Sequence, residues 1–138
     1  MSQENVELVR RWIEAYNRRD MEALNRLDDP DFEFRSIFVG IESLFRGSEG
    51  LDAYFKALDD AYDRFLLVPS DFIDAGAAVL MVASVDWRGK ESGAQGDTPI
   101  VAAFWLRAGK VFREETFTDR AEALEAVGLS EQDAHAGS

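Results

Sequence analysis

The clearest alternation of hydrophobic and polar positions lies between Ile100 and Asp119, and it predicts two strands joined by a tight turn. The first strand is largely apolar on both faces: Ile100, Ala102, Phe104 and Leu106 on one, and Val101, Ala103, Trp105 and Arg107 on the other. A strand of this kind is expected in the middle of a sheet that is covered on both sides. The turn contains Gly109, where tight turns often require a positive φ.

The second strand of this hairpin places Phe112, Glu114, Thr116 and Thr118 on one face. If that face points inward, a carboxylate and two hydroxyls lie inside an otherwise apolar sheet. The alternative is that Glu114 lies at an open rim or on the outer face. A register slip of one residue would exchange it with Glu115.

Helical spacing of apolar residues predicts four helices. The first runs from about Gln3 to Arg18, and a short second one covers Met21–Leu27 with Asp20 as its cap. A third helix follows Ser48 as candidate cap, and a last one lies between Asp119 and Gly128.

Three further segments alternate as strands do: Phe32–Phe38, Phe65–Ile73 and Ala77–Arg88. The polar, glycine-rich stretch from Gly89 to Thr98 is expected to be an exposed hairpin loop. The acidic segment from Asp28 to Asp31 is interpreted as a turn with exposed acids. A hard-cation site is the alternative, although the spacing of a calcium loop is absent.

Composition restricts the classes of function. A net charge of −12 disfavours binding to nucleic acid and to anionic membranes, because phosphates would be repelled. No apolar run approaches the roughly 20 residues that span a bilayer. The absence of cysteine excludes thiol catalysis and zinc–thiolate sites, and it fits a cytoplasmic location. The only histidine, His135, falls in a polar tail, so histidine-based nucleophilic catalysis is not expected.

Early helices followed by hairpin-connected strands indicate an α+β fold. Five motifs carry a further resemblance: Trp12 to Asp20, Asp31-Phe-Glu-Phe, Arg46-Gly-Ser-Glu-Gly50, Gly109-Lys-Val and Asp119 to Leu129. Together they resemble a SnoaL-like member of the nuclear transport factor 2-like superfamily. The resemblance implies a cone-shaped α+β roll, in which a curved antiparallel sheet wraps around N-terminal helices. It also implies one domain over residues 1–130, followed by a polar tail at 131–138.

The catalytic residues of the known enzymes in this superfamily have no matching residues at the corresponding positions of this chain. Where the ketosteroid isomerases carry their base, the local pattern places Ser36, and their second acid falls near Ala102. Their helix-one tyrosine falls on Trp12. The dehydratases and cyclases rely on histidines that the body of this chain lacks, and the Asp–Arg–Asp set of the epoxide hydrolases has no assignable counterpart.

We therefore expect a small-molecule-binding protein with an apolar cavity. Its enzymatic version is an isomerase, cyclase or hydrolase that uses Glu114 as general acid or base. The expected ligand-binding residues are Trp12, Tyr16, Phe34, Ser36, Tyr54, Met81, Phe104 and Thr116. No cofactor and no metal are expected, since neither a phosphate-binding glycine loop nor a ligand set is present. For the aromatic residues, a purely structural place in the core is the competing interpretation.

The alternative function is a non-catalytic dimeric interaction module whose cavity is filled by its own side chains. Trp105 and Phe117 fall on the opposite face of the hairpin, where two large rings suggest a covered surface. The resemblance implies that this cover is a second copy of the chain, giving a homodimer built through the sheet. This dimer is expected for either function.

Overall fold

The computed structural model describes residues 2–37 and 43–129. The elements follow in the order α1 (Ser2–Arg18), α2 (Met21–Leu27), β1 (Asp28–Ser36), β2 (Ser43–Arg46), α3 (Gly47–Ala61), β3 (Tyr62–Asp74), β4 (Ala78–Gly89), β5 (Gln95–Arg107), β6 (Lys110–Phe117) and α4 (Arg120–Ala126). Phe38, His135 and the tail at 131–138 lie outside the described residues. None of the described helices is long and apolar enough to cross a membrane.

The helix starts show which capping predictions hold. The Asp20 side chain accepts a hydrogen bond from the Ala23 amide, as expected for the cap of α2. The prediction that Ser48 caps α3 is wrong. That helix begins two residues earlier than a Ser48 cap requires, at Gly47, and Arg46 stands at the cap position without a side-chain hydrogen bond.

The six strands within residues 2–37 and 43–129 form one curved, open sheet in the order β2-β1-β6-β5-β4-β3. All neighbours are antiparallel except β1 and β6, which run parallel. The sequence pattern suggested only antiparallel neighbours, because it reveals hairpins between consecutive strands but not a pairing between the first strand and the last. The α+β prediction with a curved sheet is confirmed, with one parallel pair added.

The inner face of the sheet packs against α1 and α3 and forms the main core. Its largest fully buried side chains include Trp12, Phe32, Phe104, Leu51, Leu58 and Met81. The outer face carries a smaller cluster in which Leu80, Val101 and Ala103 pack against Ala123 and Leu124 of α4. Both faces of β5 are thus covered, as its apolar pattern predicted.

The hairpin between β5 and β6 differs from the predicted one at both ends of β6. The strand stops at Phe117, so Thr118 is exposed and the prediction that it lies inside with Glu114 is wrong. The other difference lies at the turn. Ala108 and Gly109 both have a positive φ, at 52° and 76°, which the tight turn requires. A bulge follows, since Leu106 pairs with Val111 whereas Trp105 pairs with Arg113. Val111 therefore lies on the core side together with Glu114. The prediction that Phe112 shares the Glu114 face is wrong.

The loop between β4 and β5 is shorter than predicted. The strand β5 already begins at Gln95 and pairs with Arg88, so the unpaired segment covers only residues 90–94. Ladder hydrogen bonds do not depend on side-chain hydrophobicity. A polar sequence can therefore continue a strand whose partner is in place.

Candidate active site

A small cavity lies between α1, α3 and the inner face of the sheet. Its volume is about 20 Å³. That is room for one molecule of the size of water. The lining residues are Trp12, Tyr16, Phe34, Tyr54, Leu67, Ile100, Ala102, Phe104, Glu114 and Thr116. The curved sheet thus leaves space above the first helix, but most of the interior is filled by aromatic rings.

Glu114 is the polar centre of this cavity. It pairs with Phe104 on one side and Phe34 on the other, and it is only 6% exposed. The Thr116 hydroxyl donates a hydrogen bond of 2.9 Å to Glu114 Oε1. Burial raises the pKa of Glu114 from 4.5 to about 8, although the Thr116 hydrogen bond works in the opposite direction. At neutral pH the side chain is mostly a neutral carboxylic acid that can donate a hydrogen bond.

The bulge decides which glutamate lies inside. Glu115 points to the outer side, where its carboxylate accepts a hydrogen bond of 3.0 Å from the Arg113 guanidinium. The exchange of Glu114 with Glu115 that the sequence left open therefore does not occur.

Two tyrosines form a second polar group above the sheet. The hydroxyl oxygens of Tyr16 and Tyr54 are 2.6 Å apart, and both residues are buried. Ser36 is hydrogen-bonded to Tyr54. Burial raises the pKa of both tyrosines above the usual 10. Both hydroxyls are therefore neutral at ordinary pH.

Trp12 lines the cavity with its ring but directs its N–H elsewhere. The indole Nε1 donates a hydrogen bond of 2.7 Å to Asp28 Oδ1. Asp28 is 7% exposed, and its pKa is raised to about 7 because burial outweighs the Trp12 hydrogen bond and the nearby Lys110. The prediction that Asp28 belongs to an exposed acidic turn is wrong. A buried indole N–H needs an acceptor, and that requirement is the signal in the sequence that could have found it.

The remaining predicted residues fall in different places. Phe34 and Phe104 lie in the wall of the cavity, and Thr116 is half-buried at its edge. Ser36 is buried behind Tyr54 and does not belong to the lining. Met81 lies on the same face of the sheet but packs entirely within the core. Leu67, Ile100 and Ala102 line the cavity and were not predicted to do so.

The residues that would carry isomerase chemistry are absent from their positions. Ala102 lines the cavity but has no proton to donate, and the Ser36 hydroxyl is engaged with Tyr54. Within residues 2–37 and 43–129, no three histidine, aspartate or glutamate side chains are grouped to hold a metal ion.

Comparison with known proteins identifies the family. The model of the SnoaL-like domain matches residues 9–114. The chain belongs to the SnoaL-like domain family. No curated protein matches the sequence.

Several solved structures share the fold of this SnoaL-like domain. A nuclear transport factor 2-like protein of unknown function from Burkholderia pseudomallei has a TM-score of 0.76 at 19% identity, over 91% of this chain and 98% of the other. A putative SnoaL-like polyketide cyclase from Jannaschia has a TM-score of 0.73 at 22% identity, over 91% and 92%.

A third structure is a protein with a ketosteroid isomerase-like fold from Catenulispora acidiphila, crystallised with trimethylamine. Its TM-score is 0.71 at 18% identity, over 89% of this chain and 93% of the other. At this level of identity the likeness of all three structures establishes the fold alone.

Proposed function

We propose that this SnoaL-like domain binds a small apolar or amphipathic molecule through the polar end of that molecule, at the cavity between α1, α3 and the sheet. The observation that carries the proposal is Glu114, a buried carboxyl group that faces a water-sized space and whose hydrogen-bond partner among the described residues is Thr116. Burying a carboxyl group costs free energy, and an apolar side chain would fill the same core position without that cost. The presence of a carboxyl group there therefore supports a functional role.

The cavity suits an oxygen atom of a ligand better than a whole ring. A volume of about 20 Å³ accepts a hydroxyl or carbonyl group, while the apolar body of the ligand extends toward solvent. Thr116 is half-buried, whereas Glu114, two residues earlier on the same face, is almost fully buried. The approach from solvent is therefore expected at the Thr116 end.

Glu114 is the proposed general acid or base. With a pKa of about 8 it can both release and accept a proton near neutral pH. The Tyr16–Tyr54 pair supplies a second hydrogen-bond donor for a ligand oxygen. Isomerisation, cyclisation and hydrolysis each need such a proton transfer, and the reaction is proposed to belong to one of these classes.

The test compares the wild type with Glu114→Gln, using Glu125→Gln as an exposed control on α4. Thermal unfolding is followed with a panel of small alcohols, ketones and phenols, because a ligand that binds the native state raises the melting temperature. We expect a shift in the wild type and in Glu125→Gln, and a smaller one in Glu114→Gln. The proposed role is contradicted if no compound raises the melting temperature of the wild type, or if Glu114→Gln shifts as much as the wild type.

A second function, the non-catalytic dimeric module, is favoured by two observations. The cavity is nearly filled by the protein's own rings. On the outer face of β3, Leu66 and Val68 are 36% and 49% exposed. α4 packs near Trp105 and Phe117, so it supplies part of the cover that the sequence assigned to a second copy.

Exposed apolar residues beside a covered patch support a homodimer through the remaining outer face. Light scattering should give twice the mass of the chain at micromolar concentration, and Val68→Lys should shift it toward the monomer. The matched control is Ser70→Lys, which adds the same charge farther along β3. A wild type that is monomeric at this concentration refutes the dimer.

A further inference from the structure

Arg19 occupies an unusual position beside the tyrosine pair. It directly follows α1 and has a φ of 57°, in the left-handed region that long side chains rarely adopt. Its Nη1 donates a hydrogen bond of 3.0 Å to the Tyr16 carbonyl oxygen. Its guanidinium carbon lies 4.8 Å from the centre of the Phe55 ring and 5.5 Å from that of Tyr16. The left-handed conformation ends α1 as a C-terminal cap, in which the Asp20 amide donates to the Ala15 carbonyl, and it leaves the Arg19 guanidinium over two buried rings.

The contacts of Arg19 are poorly suited to a purely stabilising role. Its Nε is buried, and in the described part of the chain it has no hydrogen-bond partner. Leaving such a donor unpaired costs free energy. The ion pair with Asp59, at 3.4 Å, involves a carboxylate that is 61% exposed. Exposed pairs of this kind contribute little to stability.

The guanidinium is the cation that acts on both tyrosines. The charge of Arg19 lowers the pKa of Tyr16 and of Tyr54, whereas Glu114, when ionised, raises both. Tyr54 comes from α3 and Glu114 from β6, so these groups face the pair from different elements. Because Glu114 is mostly protonated at neutral pH, the positive charge of Arg19 is not cancelled from the cavity side.

We infer that Arg19 is a positioning residue of this site, which stabilises negative charge on the Tyr16–Tyr54 hydroxyl pair. The site then favours ligands that share a proton with the pair through an acidic oxygen, such as an enol or a phenol. The preference for this ligand class rests on the proposed function, whereas the action of Arg19 on the tyrosines does not.

The experiment titrates the pair without any ligand. Tyrosine is replaced biosynthetically by 3,5-difluorotyrosine, whose lower phenol pKa brings the titration into an accessible range. A Tyr62→Phe background leaves only positions 16 and 54 to observe by ¹⁹F NMR. Arg19→Gln should raise the apparent pKa of the pair by about one unit. Arg18→Gln, which removes an exposed charge from the same helix end, should leave it unchanged.

A second variant gives the opposite sign. Asp59→Asn removes the carboxylate that partly neutralises Arg19, so it should lower the apparent pKa of the pair. This variant changes a mostly exposed side chain and decides the question if Arg19→Gln does not fold. An effect of Arg19 on the fold alone would not shift the pKa in opposite directions. Unchanged titration in the variants that fold overturns the inference, while the ligand panel with Glu114→Gln tests the proposed function separately.

Discussion

Replacing Glu114 by glutamine should remove a pH dependence of stability that the wild type shows. The folded-state pKa is about 8, against an ordinary value of 4.5. Between these values the folded state keeps a proton that the unfolded chain releases. The stabilisation that depends on Glu114 being protonated is therefore fully present below about pH 4.5 and is lost as the pH rises through about 8. At about 1.36 kcal/mol for each pKa unit, the full loss is on the order of 4 to 5 kcal/mol.

The assay is urea unfolding at intervals between pH 5 and pH 9, for the wild type, Glu114→Gln and the exposed control Glu125→Gln. Glutamine keeps the size of the side chain and its ability to accept from Thr116, so at pH 5 the variant should lose only about 1 kcal/mol. At pH 9 it should be more stable than the wild type. Asp28 contributes a pH dependence of its own. The informative quantity is therefore the difference between variant and wild type.

A difference that stays constant across this range would refute the reasoning, because it would mean that Glu114 ionises alike in the folded and unfolded chains. The same conclusion would follow if Glu125→Gln changed the pH dependence as much as Glu114→Gln. In either case Glu114 would not be the neutral acid on which the proposed chemistry depends.

Three further predictions concern single contacts and are measured by chemical denaturation. Asp28→Ala should cost about 2 to 3 kcal/mol, because it leaves the buried Trp12 N–H without an acceptor, whereas Asp28→Asn keeps one and should cost less. Equal costs would contradict this account. Asn17→Ala should cost about 2 kcal/mol, since the Asn17 side chain both donates to the Leu67 carbonyl and accepts from the Leu67 amide. Asn17→Asp can accept but cannot donate, so its stability should lie between those of the wild type and Asn17→Ala. An Asn17→Ala variant as stable as the wild type would refute this prediction. Gly109→Ala should cost about 1 kcal/mol at a φ of 76°, while Ala108→Gly at 52° should be neutral or stabilising. The reverse order would be inconsistent with the turn.

The sequence predicted most of the fold because periodicity reports which face of an element is buried. On β4, Val79, Met81, Ala83 and Val85 face the main core as their alternation indicated. Alternation alone could not reveal the bulge in β6, where one additional residue moves Phe112 away from the Glu114 face. The pairing of β1 with β6 also left no sequence signal, since it joins segments far apart in the chain.

The candidate site was less accessible to sequence reasoning. Glu114 itself could be named, because an acidic residue on an apolar strand face stands out, whereas Leu67, Ile100 and Ala102 were not recognised as lining the cavity. The contact of Tyr16 with Tyr54 and the position of Arg19 depend on how α1 and α3 pack, and the burial of Asp28 depends on how α1 packs on β1. Such packing is decided by three-dimensional complementarity, which no local pattern encodes.

The place of β6 in the sheet has a consequence for folding during synthesis. This strand is the last of the described strands to be made, yet it connects the paired strands β1 and β2 to the three-stranded meander of β3, β4 and β5. Until Lys110–Phe117 leaves the ribosome, the two parts of the sheet have no strand between them, and the apolar side of α1 lacks part of its cover. Such long-range closure slows folding and lengthens exposure to aggregation. A nascent chain halted before the final hairpin should therefore bind chaperones, and release should follow only once the closing strand is available.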